Sequence, residues 1–224
     1  MLTWFAPTDI YCERIDASFW GEPVNALTNL AFLLAGFLLL AHQRPPARTL
    51  GVLIMSIGLG SFLFHTFANR LTGFLDVFFI GVYLVAYAWL WPKWVLQSSL
   101  ALKTSSVAAL LLAIGLASAT AAALKPMWPE LPPGAYLGAW FYLIALATLS
   151  ATTHPKAGIW LWASAGLFLV SMTARQMDLP LCEEIGGTHW LWHLLNAAVL
   201  YASARGLVTG VYHCAREPRN GERD

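Results

Sequence analysis

The sequence predicts an all-α bundle of seven membrane-spanning helices, with the N-terminus outside and the C-terminus in the cytoplasm. Three observations lead there. Hydrophobic residues make up 58% of the chain and charged residues 11%, and that charged share is about half the usual one for a soluble domain. A soluble fold of 224 residues could not cover its surface with so few charges. Seven apolar windows have the length of roughly 20 residues needed to cross about 30 Å of hydrocarbon. Lys and Arg, which favour cytoplasmic loops, divide nine to four between the two faces these windows define. The same figures exclude other classes. A net charge of +1 gives no basic excess for phosphate neutralisation, so no nucleic-acid partner is expected. Three cysteines are too few for a disulfide scaffold.

The elements follow in order. Residues 1–24 lack the basic start and continuous apolar core of a signal peptide and carry Asp9, Glu13, Asp16 and Glu22. They read as an extramembrane cap. The membrane domain covers 25–210, with spans at about 25–42, 50–67, 72–91, 104–124, 134–152, 157–175 and 188–210. Pro45 and Pro46 follow the first span and Pro92 the third. Pro126, Pro129, Pro132 and Pro133 separate the fourth from the fifth. Pro155 precedes the sixth, and Pro180, Gly186 and Gly187 precede the seventh. Trp91, Trp94, Trp160 and Trp190 sit near helix ends, as in an interfacial belt. Residues 211–224 form a short cytoplasmic tail. No alternating ten-residue segments suggest a β-barrel, and no repeat or long linker divides the chain.

The cytoplasmic face carries Arg44, Arg48, Lys93, Lys103, Lys156, Arg205, Arg216, Arg219 and Arg223. The outer face carries Arg14, Arg70, Lys125 and Arg175 together with nine acids, against three acids inside. On this orientation Cys12 and Cys182 both lie outside, where a disulfide persists, and Cys214 is a free thiol inside. A Cys12–Cys182 bridge and two unrelated buried thiols both fit this placement.

Ionisable groups at membrane depth are functional candidates because each is expensive to bury in lipid. His65 in span two, Asp76 in span three, and His189 and His193 in span seven all fall at one depth below the outer surface. Ser61 lies one turn from His65. His189 and His193 are spaced i,i+4 and share a helix face. With His65 they make three nitrogen ligands, and zinc held by three protein ligands with a fourth position open makes water nucleophilic at neutral pH. Asp76 could accept the water's proton and return it to a leaving group. Ser61 could donate a hydrogen bond to a developing oxyanion. The competing reading is a proton relay or a structural hydrogen-bond network.

These residues resemble the alkaline ceramidases, a family within a membrane hydrolase superfamily that also holds adiponectin-type receptors and GPI-lipid remodelling proteins. The resemblance rests on Ser61-Phe-Leu-Phe-His65, on Asp76 eleven residues later, and on His189-Trp-Leu-Trp-His193. Tyr11-Cys12-Glu13 and Phe19-Trp20, with Asn25 and Asn29 beyond, extend it from about Tyr11 to Tyr201. It implies that His65, His189 and His193 are zinc ligands, that Ser61 and Asp76 are catalytic, and that Cys12 and Cys182 form a disulfide. It also implies cleavage of ceramide, or a related N-acyl lipid, into a fatty acid and a free sphingoid base. Eukaryotic members of the family bind calcium through acids near the N-terminus. Here Glu13 keeps its place, but Ile10 and Ser18 stand where acids are expected. A calcium site would draw on Glu13 with Asp9, Asp16 or Glu22; a solvated acidic cap is the alternative.

Arg175 and Asp178 are placed to pair and order the outer end of span six, and Asn196 to support a histidine ligand. The expected partner is a membrane lipid arriving sideways from the bilayer, with no obligate protein partner. The same ligands would serve a lipid esterase or phospholipase, and a non-enzymatic seven-span receptor is the third class. Short loops and tails point to a bacterial inner membrane, with a eukaryotic endomembrane as the alternative.

Overall fold

A computed structural model describes residues 3–214. Among them the architecture is helical: α1 (Pro23–Thr28), α2 (Leu30–Leu40), α3 (Pro45–Phe67), α4 (Arg70–Trp94), α5 (Leu100–Leu124), α6 (Gly134–Thr153), α7 (Pro155–Gln176), α8 (Cys182–Ile185) and α9 (His189–Cys214). Seven segments are long and apolar enough to cross a membrane, α1 and α2 together making the first and α9 the last. This is a multi-pass membrane bundle, with spans close to those expected from hydropathy. The Cys214 thiol and the tail beyond it, with Arg216, Arg219 and Arg223, lie outside the described residues.

The prolines act mainly as starters. Pro23, Pro45 and Pro155 stand in the first turn of α1, α3 and α7, where a missing N–H removes no helical bond. Pro92 differs from expectation. It lies inside α4, which runs on to Trp94, because so near the helix end only one backbone bond is lost. Trp91 also differs. It is buried at 1% exposure and stacks on Tyr87, with ring centroids 6.0 Å apart, so it belongs to the core and not to an interfacial belt.

The spans approach through small residues, as expected where lipid supplies no hydrophobic drive between helices. A β-carbon on Gly36 of α2 would lie 2.5 Å from the Gly51 carbonyl oxygen of α3. One on Gly138 of α6 would lie 2.4 Å from Ile114 Cα of α5. The most enclosed span is α9, which packs against α7, α2, α3 and α4. Buried hydroxyls pin it there: Tyr87 donates to the Ser203 carbonyl at 2.8 Å and Ser164 to the Val199 carbonyl at 2.8 Å.

The N-terminal cap lies across the end of the bundle that carries the α3–α4 turn. Thr8 N donates to the Ala68 carbonyl at 2.8 Å, and Leu71 N to the Trp4 carbonyl at 2.9 Å. Cys12 and Cys182 form a disulfide with Cα atoms 5.5 Å apart. Gly187 is required beside it. Its φ is +82°, and a β-carbon there would lie 2.7 Å from Cys12 Cβ. The bridge closes a loop of 170 residues, worth about 2–5 kcal/mol by unfolded-chain entropy. Cys12→Ser with Cys182→Ser is therefore expected to lower the thermal midpoint in detergent, and a reductant should lower the wild-type midpoint equally. Equal midpoints for wild type and double variant would show that the bridge contributes nothing.

Candidate metal centre

Two helices bring the histidines together. Ser61 and His65 lie one turn apart on the buried face of α3, four residues being one helical turn. His189 and His193 take the same spacing at the start of α9. Ring centroids are 4.7 Å apart for His65–His193, 5.1 Å for His65–His189 and 4.6 Å for His189–His193. One ligand atom from each lies within 4.8 Å of the others, so the group could hold a metal ion. All three side chains are buried.

Hydrogen bonds set the ring protonation. The Thr28 hydroxyl has one hydrogen, which goes to the Val24 carbonyl at 2.8 Å or the Asn25 carbonyl at 3.1 Å. Toward His193 Nδ1, 2.9 Å away, it accepts. His193 is then protonated on Nδ1, and Nε2 offers a lone pair, 3.5 Å from Ser61 Oγ. His65 Nδ1 donates to Glu22 Oε2 at 2.5 Å, which leaves Nε2 as the lone-pair nitrogen. His65 Nε2 and His189 Nδ1 are both buried without a hydrogen-bond partner. Such orphaned atoms are costly, and a cation accepting the His65 Nε2 lone pair would remove the cost there. The residues present therefore fit a metal of the imidazole-binding class, zinc among them.

Asp76 of α4 comes close to Ser61 and within electrostatic range of His65 and Arg175. Gly60 makes this possible, because a β-carbon there would meet the Leu75 carbonyl oxygen at 2.9 Å and Phe79 at 3.0 Å. The two helices meet there backbone to backbone, beside the Ser61–Asp76 pair.

The cap completes the site. Tyr11 stacks on His189, with centroids 3.6 Å apart; burial pushes its hydroxyl pKa up. Glu22 is the residue whose role sequence reasoning missed. It is 2% exposed and also accepts from Arg14 Nε at 2.5 Å and Asn25 Nδ2 at 3.1 Å. Burial works against its charge, but the bonds from His65, Asn25 and Arg14 outweigh that and hold its pKa below the usual carboxylate value. Arg14 Nη2 donates to the His65 carbonyl as well, at 2.9 Å. The signal was present, an acid immediately before the proline that opens span one. Carboxylates that hold ligating histidines typically contribute 10–100-fold to metal affinity. Glu22→Gln is expected to weaken metal binding by about that factor in competition with a chromophoric chelator. Unchanged affinity would limit Glu22 to holding the cap.

The other candidates fall elsewhere. Glu13 accepts from the Val24 and Asn25 amides at 2.6 and 2.7 Å, at the N-terminus of α1. Asp9 and Asp16 are exposed, and Asp16 accepts from Ser18 N. Among the described residues the three histidines are the group of potential ligands that is gathered; the four acids are not. Asp178 does not pair with Arg175. Its Oδ1 accepts from the Thr188 and His189 amides, both at 2.8 Å, and its Oδ2 from Cys12 N at 3.0 Å. A carboxylate at the start of α9 suits the helix dipole and sets the position of His189. Asn196 makes no hydrogen bond to a histidine; it lines an apolar cavity with Ile80, Tyr87, Tyr136, Leu143 and Phe168.

Fold and site together define a multi-pass helical membrane protein with a buried three-histidine group able to hold a metal ion. No protein-family model matches the chain, and no curated protein matches it.

Proposed function

We propose that the chain is an intramembrane zinc-dependent lipid amide hydrolase of the alkaline ceramidase type. The observation that carries this reading is the conjunction of three buried histidines with Ser61 and Asp76 beside an apolar cavity inside the bundle. A metal-only structural role would need neither the hydroxyl nor the carboxylate. When bound, zinc polarises a carbonyl and makes water nucleophilic near neutral pH. The protein's own residues do the rest. Ser61 donates to the carbonyl oxygen as it gains charge. Asp76 takes a proton from the attacking water and delivers it to the departing nitrogen. The water oxygen bonds to the acyl carbon, the C–N bond breaks, and a carboxylic acid and an amine leave. The acyl chain lies in the apolar cavity and stays out of water throughout, which favours lateral access from the bilayer.

In this reading the N-terminus and the metal centre face outward, and the membrane is a bacterial inner membrane. Calcium at the cap draws no support beyond Glu13 and its neighbouring acids. The test is metal analysis of protein purified without chelator, coupled to a screen of ceramides, N-acyl amino acids and matched esters. Release of fatty acid and free amine, dependent on metal, is expected. Faster release from esters would move the reading to an esterase. Protein that contains no metal and takes none up would overturn it.

A further inference from the structure

The apolar cavity inside the bundle has a definite depth. Its lining begins one turn below the metal centre: Ile80 stands four residues past Asp76 on α4, and Asn196 three past His193 on α9. Tyr136 of α6 joins cavity and centre, since it lines the cavity and lies within electrostatic range of Asp76. On the four helices that enclose it, the lining runs inward as far as Tyr87 of α4, Leu146 of α6, Ser164 of α7 and Ser203 of α9. About one turn deeper on the same helices stand Trp91, Ser150, Leu161 and Leu207, each no more than 1% exposed. These packed side chains close the inner end. Trp91 is stacked on Tyr87, with ring centroids 6.0 Å apart.

The walls suit hydrocarbon. Their hydroxyls are already engaged: Tyr83 and Ser203 share a hydrogen bond at 2.8 Å, and Tyr87 and Ser164 donate to the Ser203 and Val199 carbonyls, both at 2.8 Å. The depth follows from helix geometry. Ser203 is ten residues past His193 and Tyr87 eleven past Asp76, which is about 15 Å at the usual rise. Side chains lean toward the helix N-terminus alike at both ends of each interval, so that offset cancels. An extended hydrocarbon chain advances about 1.25 Å per carbon at ordinary carbon–carbon lengths and angles. The cavity therefore has length for about 12 carbons below the reacting carbonyl.

We propose that this cavity measures the acyl chain, with Tyr87 and Trp91 as its stop, so that the preferred substrate carries an acyl chain of about 12 carbons and longer chains are disfavoured. This rests on the hydrolase reading and specifies the acyl group of its substrate. The reaction is unchanged: water adds across the amide C–N bond, giving the medium-chain fatty acid and the amine. Selectivity comes from fit. A chain already dissolved in the bilayer gains no hydrophobic energy on entering an equally apolar cavity. A chain too long must displace packed side chains, and one too short leaves contacts unmade.

The experiment compares N-octanoyl-, N-dodecanoyl- and N-octadecanoylsphingosine, which share the base and the amide and differ in acyl length. Each is presented at the same mole fraction in mixed micelles. Equilibrium binding is measured on the full chain with metal removed, and kcat/KM on the zinc-loaded protein. The dodecanoyl lipid is expected to exceed the octadecanoyl lipid by about tenfold or more in both, the scale of overfilling a packed core, and the octanoyl lipid by a smaller factor. Trp91→Ala lengthens the cavity by one turn, room for about four more carbons, and is expected to bring the octadecanoyl lipid at least level with the dodecanoyl. Leu146→Trp fills the inner end and is expected to shift the preference to the octanoyl lipid. Wild-type binding and turnover that are flat across the three lipids, or that rise to the longest, overturn the proposal without any variant. So does an unchanged length profile in Trp91→Ala that keeps the wild-type thermal midpoint. A length optimum in binding with no hydrolysis of any of the three would sink the hydrolase reading and leave the measuring cavity standing. Hydrolysis independent of length would do the reverse.

Discussion

His193→Ala is expected to purify without stoichiometric metal and without hydrolytic activity. The imidazole is fixed at both ends, by Thr28 on Nδ1 and by its place facing Ser61 and the other two rings on Nε2. Alanine leaves two histidines, on two different helices, with no third donor to complete the set. Loss of a ligand exceeds the 10–100-fold effect of losing a ligand's partner, so affinity should fall by more than about 100-fold. The check is metal content by elemental analysis alongside the thermal midpoint of the same sample. The remaining spans and the Cys12–Cys182 bridge do not depend on this side chain, so the variant should still fold. Full metal content in the variant would mean that His193 is not a ligand.

Asp76→Asn is the complementary case. The amide matches the carboxylate in shape and keeps the packing of α4 against Gly60. It cannot accept a proton. Metal content should therefore match wild type while kcat falls by about 10²–10⁴, the usual contribution of a general base. The pair of variants separates the two jobs of the site: one loses the ion, the other loses only the proton transfer. A variant that hydrolyses lipid amides at the wild-type rate would remove Asp76 from the mechanism.

Which parts of this were legible in the sequence follows from the range of each interaction. Spans depend on hydropathy summed over a window, and their seven positions come out of the sequence almost as the structure has them. The i,i+4 pair His189–His193 is equally local, since helix geometry alone puts both rings on one face. His65 was reachable because three spans place polar groups at one depth. Pro92 and Trp91 were misread for a common reason. Both lie at the end of the expected third span, 72–91, and only packing shows that these two residues are enclosed there. Glu22 and Asp178 were harder. An acid near a span end reads as solvated until the chain is seen to fold back over it. Glu22 reaches His65 across 43 residues, and Asp178 reaches Cys12 across 166. No local pattern encodes such a meeting.

The cap has a consequence for how the chain is made. Tyr11, Cys12 and Glu22 leave the ribosome first, yet two of them wait for partners that leave among the last: His189 for the Tyr11 ring and Cys182 for the Cys12 sulfur. Until the seventh span is inserted, the site has one histidine, no closed cap and no reason to retain a metal ion. A metal ion held by this group would therefore be taken up last in biogenesis, and a nascent chain stalled before residue 182 would carry an open, incomplete centre. In the interval between insertion of the last span and closure of the bridge, the three histidines are present while the cap is not yet tied over them.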